Sequence, residues 1–244
     1  MNGIYCMDAL EGLKLLNDES IDMIITSPPY DNLRKYNGFT WDFEGIAKQL
    51  YRVLKNGGVM VWVVGDQVIN RSESGSSFRQ ALYFKEIGFN LHDTMIYEKN
   101  SASYPSHENS LRYTQIFEYM FILSKGKPKT VNLICDKQNK WAGFKDFSGK
   151  LKNPVKEFSP RNNIWKFTTS FNNKYKHPAP FPLQLALDHI TSWSNAGDSI
   201  LDPFMGSGTS AIASIELGRK WVGFEISEEY VDSIKKRIEL NRSE

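Results

Sequence analysis

Hydrophobic positions along the chain switch between two spacings, which predicts strands that alternate with helices. The β-branched run at 59–64 is typical of a buried parallel strand, and apolar residues at helical spacing precede it at 43–55. Further strands are predicted at 21–26, 94–97, 117–123, 199–201 and 221–225, and further helices at 78–87, from Pro182 onward, at 209–217 and at 227–240. A polar stretch at 70–77 is predicted to be a flexible connection. The pattern as a whole predicts an α/β fold.

Composition narrows the class of protein. The 244 residues fit one main domain, and the apolar runs are far too short to cross a bilayer. Residues 1–5 lack the charged start and apolar stretch of a signal peptide, and two cysteines do not make a disulfide framework. These features predict a cytoplasmic protein with no membrane segment.

Positive charge is concentrated in one segment, although the net charge of the chain is only +2. Residues 125–176 hold thirteen Lys or Arg and three acids, whereas the rest of the chain holds seventeen basic and twenty-five acidic residues. Such a run is often only a solvated loop. Here aromatic residues are interleaved with the cations, a mixture that suits phosphates and stacked bases: Trp141, Phe144, Phe147, Phe158, Trp165, Phe167, Phe171 and Tyr175.

A glycine-containing turn lies between a predicted strand and a predicted helix in the last quarter of the chain. The turn spans 202–208, and Glu225 ends the next predicted strand nineteen residues after Gly206. Glycines at such a turn let the backbone approach a ligand, and an acid at the tip of the neighbouring strand can accept both hydroxyl protons of a ribose. The third glycine of the dinucleotide fingerprint and the Gly-Lys of a P-loop are both missing. A nucleoside with free 2′ and 3′ hydroxyls is therefore favoured over a ligand held by its phosphates.

The tetrapeptide Ser27-Pro28-Pro29-Tyr30 follows the predicted strand at 21–26. Together with the segment 201–209, it resembles the amino-group DNA methyltransferases, which modify N4 of cytosine or N6 of adenine. Its place before the cofactor turn is similar to the permuted branch of that family. Shorter matches at 8–10, 51–58, 176–182 and 223–226 extend the resemblance over most of the chain, and only about 131–163 has no counterpart.

The resemblance implies a fold and an organisation. It implies a Rossmann-like, mixed and mostly parallel sheet with helices on both faces, as in class I S-adenosylmethionine-dependent methyltransferases. The catalytic part would be 1–124, a small basic target-recognition insertion 125–175, and the cofactor-binding part of the same domain 176–244. DNA contacts are assigned to the cations of the insertion, Lys140, Lys145, Lys150, Lys152, Lys156 and Arg161.

Residue roles follow from the same resemblance, with S-adenosyl-L-methionine as the cofactor. Gly206, Ser207 and Gly208 would wrap its methionine part, Glu225 would hold the ribose hydroxyls, and Asp8 would bond the adenine amino group. The segment 177–181 would close the methionine side, although the commoner form of that segment has polar residues where Ala179 and Phe181 stand. The predicted cofactor-binding set is Asp8, Ala9, His177, Pro178, Phe181, Asp202, Pro203, Phe204, Gly206, Ser207, Gly208, Thr209, Glu225 and Ile226.

The tetrapeptide suits the chemistry of an exocyclic amine, whose lone pair is delocalised into the base. The hydroxyl of Ser27 and the carbonyl of Pro28 can accept its two N–H bonds and aim the lone pair at the sulfonium methyl. Pro29 helps to hold that carbonyl rigidly, and Tyr30 can stack on a base that has been swung out of the duplex. These four residues are the predicted catalytic set. No metal is expected, because the four histidines show no ligand spacing: His92, His107, His177 and His189.

Cytosine C5 methylation is disfavoured, because it needs a cysteine nucleophile. Neither Cys6 nor Cys135 follows a proline at a strand end, and Cys6 is expected to be a buried structural thiol. Ser27 favours N4 of cytosine over N6 of adenine, because family members acting on adenine usually carry Asp at that position.

Other functions stay open at this point. An RNA or protein-glutamine methyltransferase could use a similar tetrapeptide, and a catalytically silent nucleic-acid-binding module could keep the fold. The expected partner is double-stranded DNA, with a cognate restriction endonuclease as a second candidate, and the expected assembly is a monomer or a homodimer.

Overall fold

The computed structural model describes residues 3–29, 41–100, 111–145, 153–168 and 182–243. Twelve strands and six helices lie within these ranges. In chain order they are β1 (Gly3–Cys6), α1 (Ala9–Lys14), β2 (Ile21–Thr26), α2 (Phe43–Val53), β3 (Leu54–Val64), β4 (Val68–Ile69), β5 (Ser72–Glu73), α3 (Ser76–Glu86), β6 (Asn90–Lys99), β7 (Phe117–Ser124), β8 (Lys137–Gln138), β9 (Phe158–Ser159), β10 (Ile164–Phe167), α4 (Leu183–Trp193), β11 (Ser199–Asp202), α5 (Thr209–Glu216), β12 (Lys220–Glu225) and α6 (Glu228–Ser243).

Eight of the strands form one sheet in the order β1-β12-β11-β2-β3-β7-β6-β10. Every neighbouring pair is parallel except the two that involve β7, which runs against both β3 and β6. The predicted mixed and mostly parallel sheet is confirmed.

Three helices cover each face of the sheet, because its apolar strands must be buried on both sides. Leu13 of α1, Leu50 of α2 and Phe84 of α3 are fully buried in one core cluster. Ile190 of α4, Ile212 of α5 and Ile234 of α6 are buried in the cluster on the other face. The doubly wound arrangement leaves the strand ends free to carry a site.

The boundary between α2 and β3 differs from the prediction. The helix was predicted to reach residue 55, but it ends at Val53, and β3 begins at Leu54. Leu54 pairs with Ile21 of β2, whereas the next pair is Met23 with Val59. The extra residues form an irregularity around Gly57, whose φ of 82° suits glycine. Pairing with β2 therefore decides where the helix stops.

The segment 70–77, predicted to be flexible, is ordered, so that prediction was wrong. β4 and β5 form a hairpin whose turn residues Asn70 and Arg71 have φ values of 48° and 66°. The serines that follow are fixed by Asp66, which accepts bonds from Ser74 Oγ at 3.1 Å and from the backbone N of Ser77 at 2.9 Å. The anchoring carboxylate lies eight or more residues away in sequence, and no local pattern indicates it.

The insertion predicted at 125–175 is partly built into the main sheet. β10 pairs with β6, and the Trp165 and Phe167 side chains are buried in the core rather than available to stack on bases. Trp141, Phe144 and Phe158 are exposed, as such contacts require. Phe147, Phe171 and Tyr175 lie outside the described residues.

Cys6 is exposed at the end of the edge strand β1, so the expectation of a buried thiol was wrong. Cys135 is exposed as well. An edge strand has a neighbour on one side only, which leaves the last side chain of β1 uncovered.

Candidate active site

The carboxyl ends of the parallel strands meet at one edge of the sheet, and the predicted site residues follow several of them. Ser27 follows β2, the glycine turn follows β11, and Glu225 ends β12. The chain leaves β11 through α5 on one face and leaves β2 toward α2 on the other. Neighbouring strands whose connections depart to opposite faces open a crevice between them, where ligands of α/β proteins bind. The tetrapeptide and the glycine turn thus border one crevice.

Asp202 joins the two sides of this crevice. Its carboxylate is 1% exposed and accepts bonds from Thr26 Oγ1 at 2.6 Å and from Ser210 Oγ at 2.5 Å. The backbone N of Phe204 donates to the same carboxylate at 3.0 Å. Burial raises the pKa of Asp202 to about 6, although these bonds act in the opposite direction. Asp202 is predicted as a cofactor contact, and both of its oxygens also fix the end of β2 against the turn.

Sequence reasoning missed Thr26 and Ser210. Thr26 is fully buried directly before Ser27, and Ser210 also contacts Met205 Sδ at 3.1 Å. A hydroxyl next to the tetrapeptide and another at the second residue of α5 are visible in the sequence. Their common partner, Asp202, is evident only from the sheet pairing. The two hydroxyls make the crevice rigid at its base.

The glycine turn has a backbone that a side chain would disturb. Gly206 and Gly208 have φ values of 54° and 78°, the left-handed region that favours glycine. A Cβ on Gly208 would also lie 3.0 Å from Ile234 Cγ2. Arg237 of α6 donates to the Ser207 carbonyl at 2.8 Å. The turn is therefore held close to the N-terminus of α5, where backbone N–H groups favour a carboxylate ligand.

Glu225 contributes the acceptor side of the same pocket. One carboxylate oxygen accepts from the backbone N of Gly206 at 2.9 Å and the other from the backbone N of Ser227 at 3.0 Å. Burial raises the pKa of Glu225, while these backbone bonds favour its charged form. Each carboxylate oxygen has a second acceptor site, so two vicinal hydroxyls can still bind. The donor and acceptor set fits the ribose of S-adenosylmethionine.

Asp8 and Ala9 lie on the next strand connection, beside Glu225. The backbone N of Met7 donates to the Glu225 carbonyl at 3.0 Å, which places the start of α1 against the end of β12. Asp8 Oδ1 caps α1 by accepting from the backbone N of Leu10 at 2.8 Å. Among the described residues the capping bonds fall on this one oxygen, so Asp8 can offer Oδ2 to an amino group.

The tetrapeptide emerges beside an aromatic wall. Thr26 is paired with Trp62 of β3, and Pro28 is buried while Ser27 and Pro29 are partly exposed. The ring of Trp41 meets the rings of Phe204 at 5.3 Å and Trp62 at 6.3 Å between centroids. This wall can line an apolar, flat pocket next to Ser27. Four of the predicted catalytic and cofactor-binding residues lie outside the described ranges: Tyr30, His177, Pro178 and Phe181.

The predicted DNA-contacting cations differ in their surroundings. Lys140, Lys145 and Lys156 are exposed, and Lys150 and Lys152 lie outside the described residues. Arg161 is instead held between Asp136 and Asp188, with Nη1 at 2.6 Å from the latter, and its guanidinium lies 5.0 Å from the Trp165 ring. These carboxylates raise the pKa of Arg161 further above its ordinary value. A DNA phosphate at Arg161 would compete with these two carboxylates, and the assignment of Arg161 to DNA stays a prediction.

Within the described part of the chain, no group of three His, Cys, Asp or Glu side chains is placed to hold a metal ion. No helix in the same ranges has the length and apolar character needed to span a membrane.

Comparison with known proteins agrees with this geometry. The sequence profile of the DNA methylase family, which comprises N6- and N4-methyltransferases, matches residues 21–236. The orphan methyltransferase M.BamHII of Bacillus amyloliquefaciens is 53% identical, with 91% of this chain and 90% of the relative covered. The DNA adenine methyltransferase YhdJ of Escherichia coli is 28% identical, with 96% of this chain and 81% of the relative covered.

Two solved structures show the same fold. PvuII DNA methyltransferase, named as cytosine-N4-specific, has a TM-score of 0.75 at 25% identity, with 97% of this chain and 86% of that chain covered. TTHA0409 of Thermus thermophilus, a DNA modification methylase solved with S-adenosyl-L-methionine, has a TM-score of 0.71 at 25% identity, with 99% and 94% covered.

Proposed function

The chain belongs to the DNA methylase family of S-adenosylmethionine-dependent methyltransferases, and we propose that within this family it methylates N4 of cytosine in double-stranded DNA. The carrying observation is Ser27, a neutral hydroxyl at the crevice between the cofactor turn and the aromatic wall. Two relatives named above act on different bases, so family membership alone does not decide the base.

The cofactor is assigned to the pocket between the glycine turn and Glu225. Gly206, Ser207 and Gly208 would face its methionine part, Glu225 its ribose hydroxyls and Asp8 its adenine amino group. The cofactor supplies an electrophilic methyl group on a sulfonium. The rigid link from Thr26 through Asp202 supports this assignment, because it fixes the distance between the turn and the tetrapeptide.

Ser27 and Pro28 perform the chemical step in this proposal. The Ser27 hydroxyl and the Pro28 carbonyl accept the two N–H bonds of the amine, which localises the nitrogen lone pair for direct attack on the methyl group. The C–S bond breaks as the N–C bond forms, and the amine then loses one proton to solvent. Pro28 is buried next to the strand end, so its carbonyl is positioned before the base arrives.

The choice of cytosine follows from the strength of the acceptor. An Asp at the first position of the tetrapeptide would be a stronger, charged acceptor, and it is the usual residue in the adenine-specific members of the family. A neutral hydroxyl accepts more weakly, and Ser is the usual residue at this position in the cytosine-specific members of the family that the tetrapeptide resembles. Adenine N6 is the alternative.

The β8–β9 hairpin is the proposed recognition element, with Lys140, Lys145, Lys150, Lys152 and Lys156 on DNA. Two contacts join the base of the hairpin to α4. The backbone N of Asn132 donates to the Ser192 carbonyl at 2.8 Å, near the C-terminal end of the helix. Arg161 pairs with Asp188, which lies one helical turn closer to the N-terminal end. α4 leads into the parallel strand β11, so its N-terminal end lies at the edge of the sheet that carries the crevice. The hairpin thus extends in the direction of that edge.

Nucleoside mass spectrometry tests the base assignment. DNA incubated with the protein and S-adenosylmethionine should contain N4-methyldeoxycytidine. Ser27→Ala should lower its formation by about 10²-fold, the scale of losing one positioned acceptor, and Ser233→Ala, a partly exposed serine on α6, should leave it unchanged. N6-methyldeoxyadenosine would refute cytosine as the target and keep the reaction type, whereas 5-methyldeoxycytidine would refute the mechanism.

A further inference from the structure

The order of the strands separates a cofactor side from a substrate side at the active edge. The glycine turn, Glu225 and Asp8 follow β11, β12 and β1, all on one side of β2. DNA must therefore approach from the other side of the tetrapeptide, over β3. Thr26 is level with Trp62 in the pairing, and neighbouring strands are about 4.8 Å apart. The β4–β5 hairpin begins six residues after Trp62, so it follows the strand end over which the base would enter.

The β4–β5 hairpin exposes two large aliphatic side chains to solvent. The side chains of Val68 and Ile69 are 45% and 49% exposed. Arg71 is exposed at the turn, and among the described residues its guanidinium forms no ion pair. Exposed aliphatic residues next to an unpaired cation match the grooves of a nucleic acid, where apolar side chains meet bases and cations meet phosphates.

The hairpin is held rigidly, as an element that pushes against a duplex must be. Arg112 donates to the Arg71 carbonyl and pairs with Glu73 at 3.5 Å. The backbone N of Ser74 donates to the Gln67 carbonyl at 2.7 Å, and Ser74 Oγ donates to Asp66. Burial alone would raise the pKa of Asp66, but the hydrogen bonds from Ser77, Ser74 and Ser76 outweigh it and hold the pKa below its ordinary value.

Arg71 also occupies a backbone conformation that is costly for it. At a φ of 66° a glycine would be relaxed, whereas an arginine is strained. The two-residue turn requires a positive φ at both Asn70 and Arg71, so it places Arg71 at the tip of the anchored hairpin.

We propose that the β4–β5 hairpin is a DNA wedge, in which Val68 and Ile69 fill the gap beside the extruded base and Arg71 binds a flanking phosphate. The inference rests on the proposed function, since a gap exists only if the base leaves the duplex. Filling the gap with apolar side chains replaces part of the stacking that the extruded base has lost, and so favours the open state.

Two variants test the two halves of the wedge with tritium-labelled S-adenosylmethionine and unmethylated bacteriophage DNA. Val68→Ser combined with Ile69→Ser should lower kcat/KM for DNA at least about tenfold, because both apolar side chains are removed from the gap. Arg71→Gly should make the slope of log(kcat/KM) against log(salt concentration) shallower by about 0.9, the value for one phosphate that is no longer neutralised. Cofactor affinity, measured by calorimetry, should stay unchanged in both.

Matched controls lie on α6, on a different part of the molecule. Leu240→Ser removes an aliphatic side chain that is even more exposed than Val68 and Ile69, and Lys236→Ala removes an exposed cation. Both variants should behave as the wild-type protein. Wild-type DNA kinetics in either wedge variant would overturn the proposal. If such a variant also changed its oligomeric state, the hairpin would be assigned to a protein interface instead. A wild-type protein that transfers no methyl group to DNA would refute the proposed function itself, a result that the variants alone cannot produce.

Discussion

Replacing Glu225 by alanine should weaken S-adenosylmethionine binding while leaving the fold intact. The carboxylate accepts hydrogen bonds from the backbone N of Gly206 at 2.9 Å on one oxygen and from the backbone N of Ser227 at 3.0 Å on the other. These donors border an open crevice, so water can replace the carboxylate there after the substitution. The ribose hydroxyls would also return to water, but without a charged acceptor.

The expected loss can be worked from the chemistry of the contact. A hydrogen bond to a charged group contributes about 1.5–3 kcal/mol, and only part of the sum from two hydroxyls is lost because water replaces the carboxylate. We therefore expect binding to weaken by about 1.5–3 kcal/mol, or roughly 10- to 150-fold. Because burial raises the pKa of Glu225, wild-type affinity should be complete above that pKa and should fall as the pH decreases through it.

Isothermal titration calorimetry is the direct assay. Glu228→Ala, an exposed acid at the start of α6, is the matched control and should bind as the wild-type protein does. An analogue of the cofactor without ribose hydroxyls should bind the wild-type and Glu225→Ala proteins with similar affinity. Equal affinities of the two proteins for S-adenosylmethionine itself would refute the assignment of the ribose to Glu225.

Three further predictions concern the links around the site. Burial raises the pKa of Asp202 from its ordinary 3.8 to about 6 in the folded protein. The ionised carboxylate should therefore destabilise the folded state above pH 6, and this destabilisation should disappear as the pH falls toward 4. Urea unfolding at pH 4–7 should show this change, of about 2–3 kcal/mol, in the wild-type protein and not in Asp202→Asn. Arg161→Ala leaves the nearly buried Asp188 without its cation and should lower the free energy of unfolding by about 2–4 kcal/mol. Arg161→Lys should have an intermediate free energy of unfolding. Full stability of the alanine variant in the same assay would contradict a stabilising role of this ion pair. The β8–β9 hairpin exposes Lys140, Lys145 and Lys156. Neutralising all three should make the slope of log(DNA affinity) against log(salt concentration) shallower by about 0.9 for each phosphate contact that is lost. An unchanged slope would place these lysines away from DNA.

Local signals in the sequence were sufficient for the main elements of the fold. β2 was predicted to end before Pro28 and Pro29, which cannot continue the ladder, and the structure ends it at Thr26. The strand, glycine turn, helix and second strand from 199 to 225 were predicted almost to the residue. Such features depend on residues within a few positions of one another, so a single sequence contains the whole of their cause.

Tertiary structure decided the features whose partners are remote in sequence. Thr26 and Asp202 are 176 residues apart, and only the adjacency of β2 and β11 brings them together. The same holds for Arg161, which the sequence offers as a free cation and the fold pairs with a buried carboxylate of α4. Composition and spacing therefore determined which chemistry the chain can carry out. Sheet order and side-chain pairing determined the surroundings of each residue, because an exposed cation and a cation held by two acids have the same sequence pattern. Only the second must give up its carboxylate partners to bind a phosphate.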